Sequence, residues 1–266
     1  MIWARVITAI SLMAAGPAAA DAMKLAVTTS IQNSGLSDIL VPEIAADTGI
    51  DVHLIVVGTG QAVRLGEASD VDAILVHSRE AEDALVAAGS GNHRREIMFD
   101  DFVVVGPDTD PADIGGAETA IEALRAIARA EAPFASRGDD SGTHRRELSL
   151  WAEAGIDPGS TWYRELGAGM GATLNTAVGM GAYVLSDRAS WLKFGNKDAM
   201  EILYQGDPAL LNQYTYIPVN PAKHNHVNFE LAKKVEEWLV SVQGQRLIGD
   251  YSIDGQPLFT PNAAGN

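Results

Sequence analysis

The stretch Lys24-Leu25-Ala26-Val27-Thr28-Thr29-Ser30 decides the fold. A short, mostly apolar run reads as a buried strand, and three hydroxyl residues close it. A helical pattern then runs from Gly35 to Thr48, with Leu36, Ile39, Leu40 and Ile44 spaced to share one face. The unit recurs. Val52 to Val57 reads as a strand, ended by Gly58-Thr59-Gly60-Gln61 and followed by a short helix through Leu65. Ala73-Ile74-Leu75-Val76 reads as a third strand, ended by His77-Ser78-Arg79, with a helix from Glu80 to Ala88. Strands alternating with helices predict the α/β class, a mostly parallel sheet with helices on both faces. Such sheets bind ligands at the carboxyl ends of their strands, where these hydroxyl-rich turns fall.

Further along, Asp101 to Gly106 reads as an extended crossover between two domains, broken by Gly106-Pro107. Ala117 to Glu131 has the spacing of an amphipathic helix, and Phe134-Ala135-Ser136 that of a short strand. That strand feeds Ser136-Arg137-Gly138-Asp139-Asp140-Ser141-Gly142-Thr143-His144, which places a fixed cation, hydroxyls and glycines at a helix start. The first N–H groups of a helix lack partners within it and carry partial positive charge. Arg137 adds a planar fork of donors suited to an oxyanion. A fourth turn, Met170-Gly171-Ala172-Thr173, opens a later helix; Ala182 to Leu185 reads as a strand, and Ser186-Asp187 caps the helix after it. Ile202 to Tyr204 and Tyr214 to Val219 look like return strands, and Asn228 to Ser241 and Gln243 to Tyr251 like closing helices. Any one of the four turns alone is an ordinary N-cap. Four of them, divided between two halves of the chain, predict an anion site built without lysine.

The 266 residues suffice for two modest domains, and 47% hydrophobic content supplies ample core. Arg5, the apolar run Val6 to Ala15 and Ala18-Ala19-Ala20 predict a secretory signal over residues 1–20, cleaved before Asp21. The sequence has no cysteine, which excludes disulfides, thiolate metal sites and a cysteine nucleophile. It also removes the residue that a lipid anchor at the cleavage point needs, so a free protein of the periplasm is expected. The formal net charge is −16, one unit more negative without Arg5, which makes nucleic acid and anionic membrane poor partners. An anion site in such a chain relies on local donors within a cleft, because surface charges beyond ~8 Å are mostly screened.

Other motifs carry less. Gly167-x-Gly169-x-x-Ala172 matches a dinucleotide fingerprint in form but lacks the preceding strand and the later acidic residue, and reads instead as an anion-facing turn. Ser141, His144 and Asp139 or Asp140 could suggest an exported serine hydrolase, yet Ser141 and His144 share one helical turn and no nucleophile elbow is present. His144 reads as a surface or hinge residue. His53, His77, His93, His224 and His226 make no metal spacing. Arg137 is expected to do two jobs, held by Asp139 or Asp140 while its free edge faces the ligand. Arg188 reads as a solvated helix charge.

The motifs Val27 to Leu36, Val57-Gly58-Thr59-Gly60-Gln61-Ala62, Ser136 to Thr143 and Gly169-Met170-Gly171-Ala172-Thr173-Leu174-Asn175 resemble, in order, those of the TupA-type tungstate-binding proteins of ABC importers. Val219 to His224 and Trp238 to Gln245 are similar to the same family. The resemblance implies a two-lobed periplasmic binding protein fold of type II, with ligand in the interlobe cleft. Residues 21–104 and 206–266 would form lobe 1, and residues 105–205 lobe 2, hinged near Gly106 and Gln205. Carried over by position, the binding set is Thr28, Thr29 or Ser30, with Thr59, Ser136, Arg137, Ala172 and Thr173, and Ser141 and Thr143 as further candidates. No reaction, cofactor or direct metal ligand is implied, since tungsten would be held as an oxyanion. The implied partners are a membrane permease and its ATPase, served by a monomeric carrier that meets the membrane only through the permease. Arg137-x-Asp139-x-Ser141-Gly142-Thr143 is also similar to the motif of phosphate-binding proteins of this fold, so molybdate and phosphate are alternatives. Phosphate keeps a proton near neutral pH and calls for an acceptor carboxylate, whereas tungstate and molybdate are bare dianions suited to donors alone. The N-terminal turns carry hydroxyls and no carboxylate, which favours the bare dianion and leaves Asp139 as the residue to watch.

Overall fold

Alternation of side chains along the first strands sets up the layers. In the computed structural model, which describes residues 21–159 and 161–263, β1 (Asp21–Thr28) sends Leu25 and Val27 to one face and Ala26 to the other. Helix α1 (Thr29–Ser34) follows without a loop, and α2 (Ser37–Thr48) leads to β2 (Ile50–Val57). Helix α3 (Thr59–Ala68), β3 (Ala73–Val76) and α4 (Arg79–Ala87) complete the repeat. Strand β3 turns Ala73 and Leu75 toward one core and Ile74 and Val76 toward the other. Both faces of the sheet are thus apolar and both are covered by helices, the requirement for buried parallel strands. The predicted signal peptide, residues 1–20, lies outside the described residues.

The helix expected from Gly35 to Thr48 is α2, and a separate short helix, α1, precedes it over part of the hydroxyl turn. Gly35 adopts φ +81° and ends α1, a conformation that L side chains rarely adopt. Leu36, Leu40 and Ile44 are buried at intervals of four, but Ile39 is 41% exposed, because the buried stripe is one residue wide there.

Strand β4 (Arg95–Pro107) is 13 residues long and joins two sheet regions. From Arg95 to Asp101 it pairs with β9 (Leu211–Pro218), and from Phe102 to Pro107 with β7 (Val184–Asp187) and β8 (Met200–Tyr204). Phe102 and Val104 face one core, Val103 and Val105 another. Between these passages lie α5 (Ala120–Ala130), β5 (Phe134–Ser136), α6 (Gly142–Glu153), β6 (Tyr163–Glu165), α7 (Met170–Met180) and, after β7, α8 (Arg188–Lys193). Helices α9 (Phe229–Leu239) and α10 (Val242–Asp250) and the short strands β10 (Ser252–Ile253), β11 (Gln256–Pro257) and β12 (Thr260–Pro261) close the chain. The expected α/β architecture holds, with a mixed sheet of order β12-β4-β9-β3-β1-β2. Pairing is parallel within β2-β1-β3 and β5-β6 and antiparallel for β4 and β9, since one strand leaves along the line on which the other returns. Strand β6 was not legible because its three residues, a buried Tyr163 and exposed Arg164 and Glu165, show no apolar run.

Among the described residues, no helix is long and apolar enough to cross a membrane.

Candidate functional site

Four helix starts meet at one cavity of about 520 Å³. Thr29 contributes from α1, Gly58 and Gly60 from α3, Arg137 and Ser141 from the turn before α6, and Gly169 to Ala172 from α7. The cap positions of α1, α3 and α7 are Thr28, Gly58 and Gly169, and none of the three supplies a side-chain cap. No cap side chain takes their first N–H groups, although in α3 the Gln61 amide already donates to the Gly58 carbonyl at 3.0 Å. Helix α6 differs: the Ser141 hydroxyl accepts from the His144 amide at 3.3 Å.

Several hydroxyls of the same turns are buried without partners. Thr28 Oγ1, Thr59 Oγ1, Ser136 Oγ, Thr143 Oγ1 and Arg137 Nε make no hydrogen bond among the described residues. Each such group costs about 1–3 kcal/mol when left unsatisfied, so a cluster of them points to a ligand that completes it. Of the predicted residues, Thr29, Arg137, Ser141 and Ala172 line the cavity, while Thr28, Ser30, Thr59, Ser136, Thr143 and Thr173 are buried in the turns that make its wall. The Ser30 hydroxyl lies 3.5 Å from His77 Nε2. Thr173 has its hydroxyl directed at the Ala168 and Gly169 carbonyls and its amide bonded to Gly169, so it braces the turn.

Arg137 is only 6% exposed. Its Nη2 donates to Asp139 Oδ2 at 2.5 Å, and Asp139 Oδ1 accepts from the Ser141 amide at 3.2 Å. Burial alone would raise the Asp139 pKa, but the Ser141 hydrogen bonds and the Arg137 charge hold it below the usual carboxylate value. Of the two candidate carboxylates, Asp139 holds the guanidinium; Asp140 instead takes a two-point pair with Arg145, 3.0 Å on each side.

Behind the turns is a buried polar layer. The His77 ring packs against Tyr214, tilted by 45° with centroids 4.9 Å apart, and is held near pKa 4, chiefly by burial, with an opposing hydrogen bond from Asn212 and repulsion from Arg137. It is a neutral imidazole set against Gly142, where any Cβ would lie 2.8 Å from its Nδ1. Asp100 accepts from Asn212 Nδ2 at 2.7 Å, and Asp187 caps α8 by accepting from the Ser190 amide at 2.8 Å. Burial raises the pKa of both acids, and the neighbouring Asp187 charge adds to the rise at Asp100.

Two expectations are corrected. His144 is a buried residue, 8% exposed, whose Nδ1 accepts from the Asp140 amide at 3.1 Å, because the turn folds back over the start of α6. Among the described residues no hydrogen bond joins its ring to the Ser141 hydroxyl, so the geometry offers no Ser–His pair. Arg188 is no solvated helix charge: it grips both oxygens of Asp101 at 2.6 and 2.5 Å and Gln205 at 2.8 Å, tying together the two crossings between the sheet regions. The described residues contain no group of three or more His, Asp or Glu able to hold a metal.

Asn33, Gln61 and Arg64 also line the cavity and were not foreseen. Gln61 and Arg64 lie three apart on α3, so helical spacing puts them on the same face once the Gly58-Thr59-Gly60 turn is known to point at a ligand.

The PBP superfamily domain family matches residues 14–243. The chain is 46% identical over 244 residues to the tungstate-binding protein TupA of Peptoclostridium acidaminophilum, covering 90% of this chain and 85% of that protein. Among solved structures it resembles the tungstate-binding protein TupA of Desulfovibrio alaskensis G20, with TM-score 0.83 and 44% identity over 92% of this chain and 100% of that one. It also resembles the tungstate ABC transporter structure from Geobacter sulfurreducens, with TM-score 0.79 and 45% identity over 86% and 98% of the two chains. Four helix starts around a buried arginine, in this fold and at these identities, make the chain a member of the TupA-type family within the PBP superfamily.

Proposed function

We propose that the protein captures tungstate and delivers it to an ABC permease driven by a cytoplasmic ATPase. The observation that carries this reading is the set of unpartnered groups near Arg137: three helix starts without side-chain caps line one cavity, and the turns that lead into the helices hold buried polar atoms without partners. The ligand set is Thr28, Thr29, Ser30, Thr59, Ser136, Arg137, Ser141, Thr143 and the start of α7 at Ala172, with Thr173 bracing that start. Nanomolar binding needs about −12 kcal/mol. Charge-assisted hydrogen bonds contribute about 1.5–3 kcal/mol each, so seven or so reach that after association costs of several kcal/mol.

The lobes, residues 21–104 with 206–266 and residues 105–205, close over the ion by bending at the two crossings near Gly106 and Gln205. The protein binds and releases without performing a reaction, and it uses no cofactor. It works as a monomer in the periplasm, after removal of residues 1–20. Binding proteins of ABC importers act outside the cytoplasm, consistent with that placement.

Molybdate and phosphate are the competing ligands. Both Asp139 oxygens are engaged, one by Arg137 and one by the Ser141 amide, which supports a donor-only site and a ligand without a proton. Calorimetric titration of the mature protein with tungstate, molybdate, phosphate and sulfate tests this. Tight one-to-one tungstate binding with phosphate silent is expected. Strong phosphate binding with weak tungstate would mean that Asp139 turns to the ligand as an acceptor and that the oxyanion has been misassigned.

A further inference from the structure

The charged residues lining the cavity are Arg64, Arg137, Asp139 and Asp140, and Arg145 stands beside them. Arg137 is paired with Asp139 at 2.5 Å, and Asp140 with Arg145 at 3.0 Å, so each of these cations has its carboxylate. The remaining charged residue in the lining is Arg64. It is exposed, and among the described residues its guanidinium makes no hydrogen bond or close ion pair, although its charge, after that of Arg145, helps to lower the Asp140 pKa. Gly60 makes room for the group. A Cβ there would lie 3.2 Å from Arg145 Nη2 and 3.6 Å from both Arg64 Nη1 and Asp140 Oδ2. Three charged groups therefore meet over one glycine at the cavity, and their sum is one positive charge.

That charge matters because of its setting. The chain carries a formal net charge of −16, which repels an incoming dianion. A cation in a cleft with low-dielectric walls focuses the field and raises the encounter rate. A cation already tied to a carboxylate contributes little at a distance, since the pair acts as a dipole. We propose, on the oxyanion reading above, that Arg64 is the capture residue: it draws the dianion into the cleft and sets the association rate, while Arg137 and the helix starts set the residence time.

The test separates rate from affinity. Association and dissociation of tungstate are followed by stopped-flow tryptophan fluorescence on the mature wild type, Arg64→Gln, Arg64→Lys and Arg64→Glu, with calorimetric Kd values on the same proteins to close the cycle. At about 0.01 M salt, where the Debye length is about 30 Å, Arg64→Gln is expected to slow association about five- to tenfold. Arg64→Glu slows it further, and Arg64→Lys stays within about twofold of wild type because charge rather than fork geometry is at work. Dissociation is unchanged, and the gap closes toward 1 M salt, where the Debye length is about 3 Å. Unchanged melting temperatures establish that the variants fold. The proposal is overturned if Arg64→Gln associates at the wild-type rate at low salt, if the loss appears in dissociation, or if the gap survives high salt. Absence of tungstate binding by the wild type would instead overturn the oxyanion reading itself.

Discussion

Thr59→Val should make the free protein more stable and reduce the stabilisation that the ligand adds. Thr59 Oγ1 is buried at the start of α3 and has no partner, in a residue only 1% exposed. Valine keeps the shape and removes the hydroxyl. Relief of an unsatisfied buried group is worth about 1–3 kcal/mol, and in a protein of this size each kcal/mol moves Tm by about 2–4 °C, so the free protein should melt a few degrees higher. The bound protein loses one hydrogen bond to a charged ligand, worth about 1.5–3 kcal/mol, or roughly a ten- to 150-fold weaker Kd. Differential scanning calorimetry with and without tungstate reads both effects. At a tungstate concentration about a thousandfold above the wild-type Kd, the ligand stabilises the wild type by about 4.1 kcal/mol. A variant about fifty times weaker has about twenty times its Kd present and gains about 1.8 kcal/mol, so the ligand-induced shift falls by more than half while the baseline rises. A lower Tm for the free variant, or an undiminished ligand shift, would show that this hydroxyl has another partner and that unpartnered polar atoms do not mark the ligand set.

Three further outcomes follow from the same geometry. Arg137→Ala removes the buried cation and should weaken tungstate binding at least a hundredfold by titration calorimetry, about 3 kcal/mol, while circular dichroism shows the fold intact. Gly142→Ala drives a methyl group into the His77 imidazole, which Tyr214 backs at 4.9 Å, so the first turn of α6 should move and affinity should fall at least tenfold; adding His77→Ala in the same chain should recover part of the loss. Glu147 is a buried carboxyl whose Oε1 accepts from Tyr163 at 2.7 Å and Trp151 at 3.3 Å, and burial pushes its pKa up to about 7. Between about 4.5 and 7 the native state keeps a proton that the unfolded chain has released, so its contribution is present at low pH and lost as pH rises through that window, by at most about 3 kcal/mol. Urea titrations across pH 4 to 8 should show that loss in the wild type and a smaller one in Glu147→Gln.

The sequence by itself determined the alternation of strands and helices and the character of the turns between them. Those are local properties: Lys24 to Val27 and Ala73 to Val76 carry apolar runs of strand length, and Thr28, Thr59, Ser136 and Thr173 stand where strands pass into helices. The donor-rich character of Ser136 to His144 was equally legible, since a cation, hydroxyls and glycines stand within nine residues. Only the tertiary structure decided which of these groups are free to act. Thr28, Thr59 and Thr173 look alike in sequence, yet two hydroxyls are left unpartnered and the third is bonded back to its own turn. Arg64, Arg137 and Arg188 are three arginines of one composition. One is exposed at the cavity, one is buried against Asp139, and one clamps Asp101 to Gln205. Hydrogen bonding and charge pairing join residues far apart in the chain, so their outcome depends on which segments the sheet order brings together, and spacing along the chain carries no record of it.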